Sequence, residues 1–381
     1  MTKVKFGEVA SRLNIHVDQN NTDLEYYIGG EHIESSEFLI HNKALIKGST
    51  IGYQFQFGFE PDDILFMTKN PHLRKTSMVK FRGLCSIATF VIRTNDPSIL
   101  LQEYLLIEMQ SDRFWKYLEE HKSGGVNYFI NWGTLSNYEF DLPPISEQKK
   151  IADKAWAAYR LKESYKKLLA ATDEIMKSRF IEMFGNPLSD NQKYSLKPLG
   201  ECCKINPKRP PILLEDTEKV SFVPMQSVTE DGRMIDIINE DYGKVKKGFT
   251  YFEENDVLFA KITPCMENGK GAIADNLTNG IGMGSTEFHV LRSIEGVSNP
   301  YWLLALTRMP IFRERASKNM SGTGGQKRVG APYLKEFMIG LPPIKTQIEF
   351  ETIYKQADKS KFELRKSIEA IDKVIKSLIN N

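Results

Sequence analysis

The sequence predicts an α/β (α+β) chain in which one pattern, a globular unit followed by a long helix, occurs twice. Three observations predict it. Leu142-Pro143-Pro144-Ile145 returns 199 positions later as Leu341-Pro342-Pro343-Ile344. Asp63-Ile64-Leu65-Phe66 returns at an offset of 193 as Asp256-Val257-Leu258-Phe259, and Ser123-Gly124 returns at 198 as Ser321-Gly322. After each Leu-Pro-Pro-Ile comes a long stretch free of glycine and proline. A slowly drifting offset is what duplication leaves behind after small loop insertions. The expected division is a first unit over 1–145, a helix over 146–187, a second unit over 188–344 and a helix over 345–381.

Within the units, short apolar runs bounded by turn residues predict strands at 24–28, 64–67 and 88–93. Their counterparts fall at 220–224, 257–260 and 287–292. A helical stretch follows in each copy, 99–121 and 300–316, and Pro310 is expected to break the second into two.

The first long helix runs from Ser146 to about Phe184, with Gly185-Asn186-Pro187 as its stop. The second opens at Thr346-x-x-Glu349, which reads as a capping box. Its apolar line, Phe350, Ile353, Ala357, Ser360, Leu364, Ser367, Ile371, Val374 and Leu378, steps by 3 and 4. The equivalent line on the first helix is clearest at Leu161, Tyr165, Leu168, Thr172 and Ile175. That is the heptad period, so the two helices are expected to pair as an antiparallel coiled coil, each about 36 residues and ~54 Å long. The internal repeat would then carry a pseudo-twofold relation between the two units.

Composition narrows the function by exclusion. Hydrophobic residues at 41% and charged residues at 26% fit a globular chain, and each half is long enough to bury a core. With 51 Lys and Arg against 49 Asp and Glu, any basic surface must be local. Cys85, Cys202, Cys203 and Cys265 show no Cys-x-x-Cys spacing, and the six histidines show no ligand spacing, which argues against a metal site. Reduced thiols, no apolar leader and no run near ~20 apolar residues suggest a cytoplasmic protein with no membrane span.

The copies differ in their loops. Residues 69–82 hold five Lys and Arg and no acid; Lys69, His72, Arg74, Lys75, Lys80 and Arg82 are the candidate contacts there. The equivalent loop of the second copy offers Lys261, Thr263, Asn268 and Lys270, followed by Thr286. A Gly-rich basic stretch over 318–328 adds Gln326, Lys327 and Arg328, while its counterpart over 123–132 has lost the basic residues. Lys and Arg neutralise phosphates, and Arg, Asn and Gln can pair with base edges, so this mixture suits DNA. Kept scaffold with changed loops is the profile of two readers with different targets. No catalytic constellation emerges. Gly280-x-Gly282-x-Gly284 runs into a strand rather than a helix, so it is no dinucleotide fingerprint. The Pro-Pro pairs are flanked by Leu and Ile rather than by the polar and aromatic residues an adenine methyltransferase needs.

With these residues in hand, the chain resembles the specificity (S) subunit of Type I restriction–modification systems along essentially its whole length. The most specific stretch runs from Asp256 through Lys261-Ile-Thr-Pro-Cys-Met-Glu-Asn-Gly-Lys270 to Arg292. Asn70-Pro-His-Leu-Arg-Lys75 and the twofold Leu-Pro-Pro-Ile before a long helix support it. The resemblance implies two target-recognition domains reading the halves of an asymmetric bipartite sequence in double-stranded DNA, held apart by the two helices. It implies no catalysis in this chain, two methyltransferase (M) subunits and restriction (R) subunits as partners, and S-adenosylmethionine, ATP and Mg on those partners. Two alternatives stay open: the recognition subunit of a two-subunit Type II (IIB-like) enzyme, and a protein–protein scaffold with two peptide-binding domains.

Overall fold

The computed structural model describes residues 2–186, 193–323 and 325–380. Pro187 of the expected helix stop, the 187/188 boundary and Gly324 of the basic stretch lie outside them. The chain divides into two compact units, Met1–Lys167 with Leu364–Asn381, and Leu168–Glu363, so each unit contains part of both long helices.

Unit 1 is built on two four-stranded sheets. One runs Ala10–Leu13, Thr89–Thr94, Ile64–Met67, Thr76–Met78, all antiparallel. The other runs Ala44–Leu45, Tyr26–Ile28, Gly83–Ser86, Phe55–Phe59, with one parallel pairing in the middle. Unit 2 repeats both sheets in the same order. Cys203–Ile205, Phe288–Ser293, Val257–Ala260 and Gly271–Ile273 form the first. Ile238–Asp241, Lys219–Val223, Ile281–Gly284 and Thr250–Glu253 form the second. The 64–67 and 257–260 strands match the sequence expectation residue for residue, because Asp-φ-φ-Phe (φ apolar) is a fully buried strand entered from a tight turn.

The repeated aspartate explains that motif. Asp63 and Asp256 are buried, and each receives two hydrogen bonds from one guanidinium. Arg93 donates Nε and Nη2 at 2.7 and 3.0 Å, and Arg292 does so at 2.8 and 2.7 Å. Each aspartate also accepts the backbone N–H three residues upstream, from Glu60 and Glu253. A buried carboxylate satisfied on three sides fixes the turn into the central strand and ties it to the neighbouring one.

The helical stretch of unit 1 is two helices rather than one, Gln102–Gln110 and Asp112–Glu120. The break falls at Ser111, whose hydroxyl accepts from Phe114 N and so caps the second helix without any proline. In unit 2 the break falls at Pro310 as expected, giving Pro300–Arg308 and Pro310–Ser317.

The long helices span Ile145–Phe184 and Ile344–Asn380. The second begins two residues before Thr346, so the Thr346–Glu349 box does not cap it. Pro343 O instead accepts from Thr346 N and Gln347 N. Each helix is pinned to its unit by the same glutamine. Gln148 accepts from Leu101 N and donates to Ile99 O and Pro143 O. Gln347 accepts from Asn299 N and donates to Val297 O and Pro342 O.

Inside unit 1 the core takes in Ala152, Ala155, Trp156 and Tyr159 of the first helix and Ile375 of the second. Inside unit 2, Phe180 and Phe184 pack on Phe350 while Asp173 meets Lys361, so there the two segments run antiparallel. The heptad period is present but its frame on the first helix lies one residue later than expected. Leu161, Leu168 and Ile175 are exposed, as are Ser360 and Val374 on the second helix. Buried in their place are Lys162, Met176, Lys361 and Ile375. Tyr165, Thr172, Leu364, Ser367 and Ile371 are half-buried. Lysines inside the seam account for the shift: a frame chosen to keep charge out turns each helix by one residue.

Candidate nucleic-acid interface

In unit 2, two loops at the end of the central strand are sewn together by backbone. Thr263 N donates to Lys327 O at 3.0 Å, Val329 N donates to Lys261 O at 3.0 Å, and Ile262 bridges Arg328. Lys261 N donates to Glu287 O, which brings Thr286 and Glu287 to the same edge. Unit 1 uses the same stitches. Asn70 N donates to Tyr128 O, Ile130 N to Thr68 O and Thr68 N to Ala88 O, and Lys69 bridges Phe129. Lys327 and Arg328 therefore correspond to Tyr128 and Phe129, and Glu287 corresponds to Ala88.

On the unit 2 edge, Lys261 and Lys270 are half-exposed, and Thr286, Gln326 and Lys327 are exposed. Thr263 Oγ1 donates to Glu267 at 3.1 Å, and Asn268 Nδ2 donates to Glu230 at 2.9 Å. Arg328 is held by Glu287 through Nε and Nη2 at 2.8 to 3.1 Å, and the guanidinium keeps the Glu287 carboxyl below its ordinary range. The loop over 263–270 is further held by Arg313, whose Nη1 donates to Glu267 O at 2.8 Å. Behind it, His289 accepts from Asn206 Nδ2 on Nδ1 and donates from Nε2 to Val329 O at 2.8 Å. Burial lowers its pKa, keeping the ring neutral and in that tautomer. His289 positions the edge; its spacing relative to other histidines gave no sign of this.

On the unit 1 edge the picture changes. Of the six candidates, Lys69 and His72 lie exposed next to the stitched loop. The other four are engaged within the unit. Arg74 pairs with Asp112 at 2.6 Å, Lys75 donates to Gly30 O at 2.6 Å, Lys80 pairs with Asp62, and Arg82 meets Asp23 at 2.5 Å. Lys80 and Arg82 also lie beyond the Thr76–Met78 strand rather than in the loop stitched to Tyr128. Sequence reading by charge missed what this edge does present: Phe129 at 43% and Val126 at 93% exposure, and Tyr128 beneath the Lys122 ammonium at 4.1 Å. Exposed apolar residues grouped on a loop mark an interaction surface.

Among the described residues no group of three or more His, Cys, Asp or Glu could hold a metal ion, and no helix is long and apolar enough to cross a membrane. The cysteines are unpaired, and burial raises the thiols of Cys85, Cys202 and Cys203 to about 12, 11 and 12.

The chain is thus a duplicated α/β unit, each copy joined to a long helix and offering an edge of unlike loops. Residues 191–372 match the Type I restriction modification DNA specificity domain. The chain is 38% identical over 147 residues to the Type I restriction enzyme EcoEI specificity subunit of Escherichia coli, and 34% identical over 187 residues to the EcoAI specificity subunit. Those stretches cover 38% and 48% of this chain, and 24% and 31% of the relatives' own lengths. The S subunit of a Type I restriction–modification system from M. genitalium shares the fold, with a TM-score of 0.58 at 12% identity over 99% of this chain and 94% of that one.

Proposed function

We propose that this chain is the non-catalytic DNA-recognition subunit of a Type I restriction–modification complex, with each unit reading one half of an asymmetric bipartite target. The supporting observation is the pair of edges: one backbone frame carrying Lys261, Ile262, Lys327 and Arg328 in unit 2, but Thr68, Lys69, Tyr128 and Phe129 in unit 1. Identical frames aim side chains the same way, and unlike side chains there select unlike base edges. Lys261, Lys270 and Lys327 serve phosphates, Asn268, Thr286 and Gln326 serve bases, and Arg328 reaches out from its carboxylate partner. Two methyltransferase subunits and restriction subunits dock on the chain and bring S-adenosylmethionine, ATP and Mg with them. It works in the cytoplasm, where buried unpaired thiols persist. The test is to map methylated adenines in cells carrying this chain with its methyltransferase partner. An asymmetric sequence in two parts with an unread gap supports the reading; a continuous or palindromic site overturns it.

A further inference from the structure

Among the described residues only two lysines are buried, Lys162 and Lys361, and they are the same position in the two copies, 199 residues apart. Each meets an aspartate of the other long helix. Lys162 Nζ lies 2.8 Å from Asp372 within unit 1, and Lys361 Nζ lies 3.0 Å from Asp173 within unit 2. The two aspartates are also 199 residues apart. Taking an ammonium out of water is costly, and an apolar residue of that size would fill the seam without the penalty.

What an apolar seam cannot do is count. Leu169 and Met176 follow Lys162 at steps of seven, and Ile368 and Ile375 follow Lys361 in the same way. Sliding one helix by a heptad exchanges apolar for apolar along most of the line. The Lys–Asp pairs remove that degeneracy. A slide of seven would set Asp173 against Ile368 or Tyr354, and Asp372 against Leu169 or Ala155, separating both buried lysines from their aspartates and leaving Lys162 with Glu37 alone, 3.1 Å away.

We propose that the Lys162–Asp372 and Lys361–Asp173 pairs fix the register of the two long helices, and through it the number of base pairs between the two half-sites. The spacing half of this rests on the DNA-reading function above. One heptad is ~10 Å of helix, which corresponds to about three base pairs of duplex.

The experiment uses the full chain carrying Cys265→Ser, with spin labels at Ala171→Cys and Glu349→Cys, both exposed positions within unit 2. Dipolar distances are compared for this parent and for the variant Lys162→Met, Lys361→Met, Asp173→Leu, Asp372→Leu. The parent is expected to give one narrow distance, and the apolar variant a second population displaced by up to ~10 Å. With the methyltransferase partner, that variant is expected to modify duplexes whose gap differs by about three base pairs, which the parent refuses. A helical, cooperatively melting apolar variant that keeps one distance and one gap overturns the proposal. Should it fail to fold, the exchange Lys361→Asp with Asp173→Lys decides: one distance is expected for the exchange and two for Lys361→Asp alone, and identical distances in both overturn it. The distances need no DNA, so a parent that selects no bipartite sequence ends the DNA-reading function while the register is still decided.

Discussion

The stitched edges of the two units teach more by their difference than either does alone. In unit 2 the position after the strand partner carries Glu287, and the facing loop carries Arg328; in unit 1 the same two places hold Ala88 and Phe129. An ion pair has been exchanged for apolar groups on an unchanged backbone. Behind it His289, bonded to Asn206 and Val329, corresponds to Phe90, which lies under the Arg12 guanidinium at 4.4 Å. Duplication kept the hydrogen bonds that build the edge and released the side chains that face outward. Chemistry that must differ to read different partners was free to diverge, while the buried aspartates, arginines and glutamines were not.

The largest effect should come from breaking what the copies share. Asp63→Ala and Asp256→Ala each strand three donors, two on an arginine and one backbone N–H, and each is expected to cost its own unit about 3 kcal/mol. Denaturant unfolding checks this; a loss in only one copy would break the equivalence. Gln148→Ala and Gln347→Ala remove two donated bonds and one accepted bond each, and about 2 kcal/mol is expected for either by the same measurement.

At the edges the effects should be smaller and unlike. Lys327→Ala is expected to weaken DNA binding and to lower the salt slope by ~0.9, the loss of one phosphate contact. Phe129→Ala is expected to weaken it with the slope unchanged. Fluorescence anisotropy of the complex with its partner subunit across a salt series separates the two; equal slope changes would erase the contrast. Glu287→Gln releases Arg328 and should steepen the slope by a fraction of one contact.

The smallest effect is a pH effect confined to unit 1. Burial pushes the Glu37 pKa up, but Lys166 and Lys162 outweigh it and hold the carboxyl below its ordinary value of 4.5. A lowered folded-state pKa means stability present above the unfolded value and lost as pH falls through the folded one. Unfolding below about pH 4.5 should therefore be less acid-sensitive in Glu37→Gln, as read by thermal melts at stepped pH.

Most of the frame was legible in the sequence, and the reason is physical. The Asp-φ-φ-Phe strand, the Leu-Pro-Pro-Ile entry and the glycine-free helices are each local patterns with one structural solution, and duplication printed each of them twice. The seam was legible in period but not in phase, because Lys162 and Lys361 sit where hydrophobicity alone forbids them. The break at Ser111 was missed because a single capping hydroxyl ends a helix as firmly as proline does. At the edge, counting positive charge found Lys261, Lys270 and Lys327. It also credited Arg74, Lys75, Lys80 and Arg82, whose partners Asp112, Gly30, Asp62 and Asp23 are distant in sequence. It passed over Tyr128 and Phe129, since an exposed aromatic and a core aromatic look alike in a sequence.

The central claim is that one frame presents two different readers. Its most direct test is methylation mapping of the complex carrying Tyr128→Ala with Phe129→Ala, beside one carrying Gln326→Ala with Lys327→Ala. The account expects the first to relax selection in one half of the target and the second in the other half, with the gap unchanged. Both variants relaxing the same half, or either relaxing both, would contradict it.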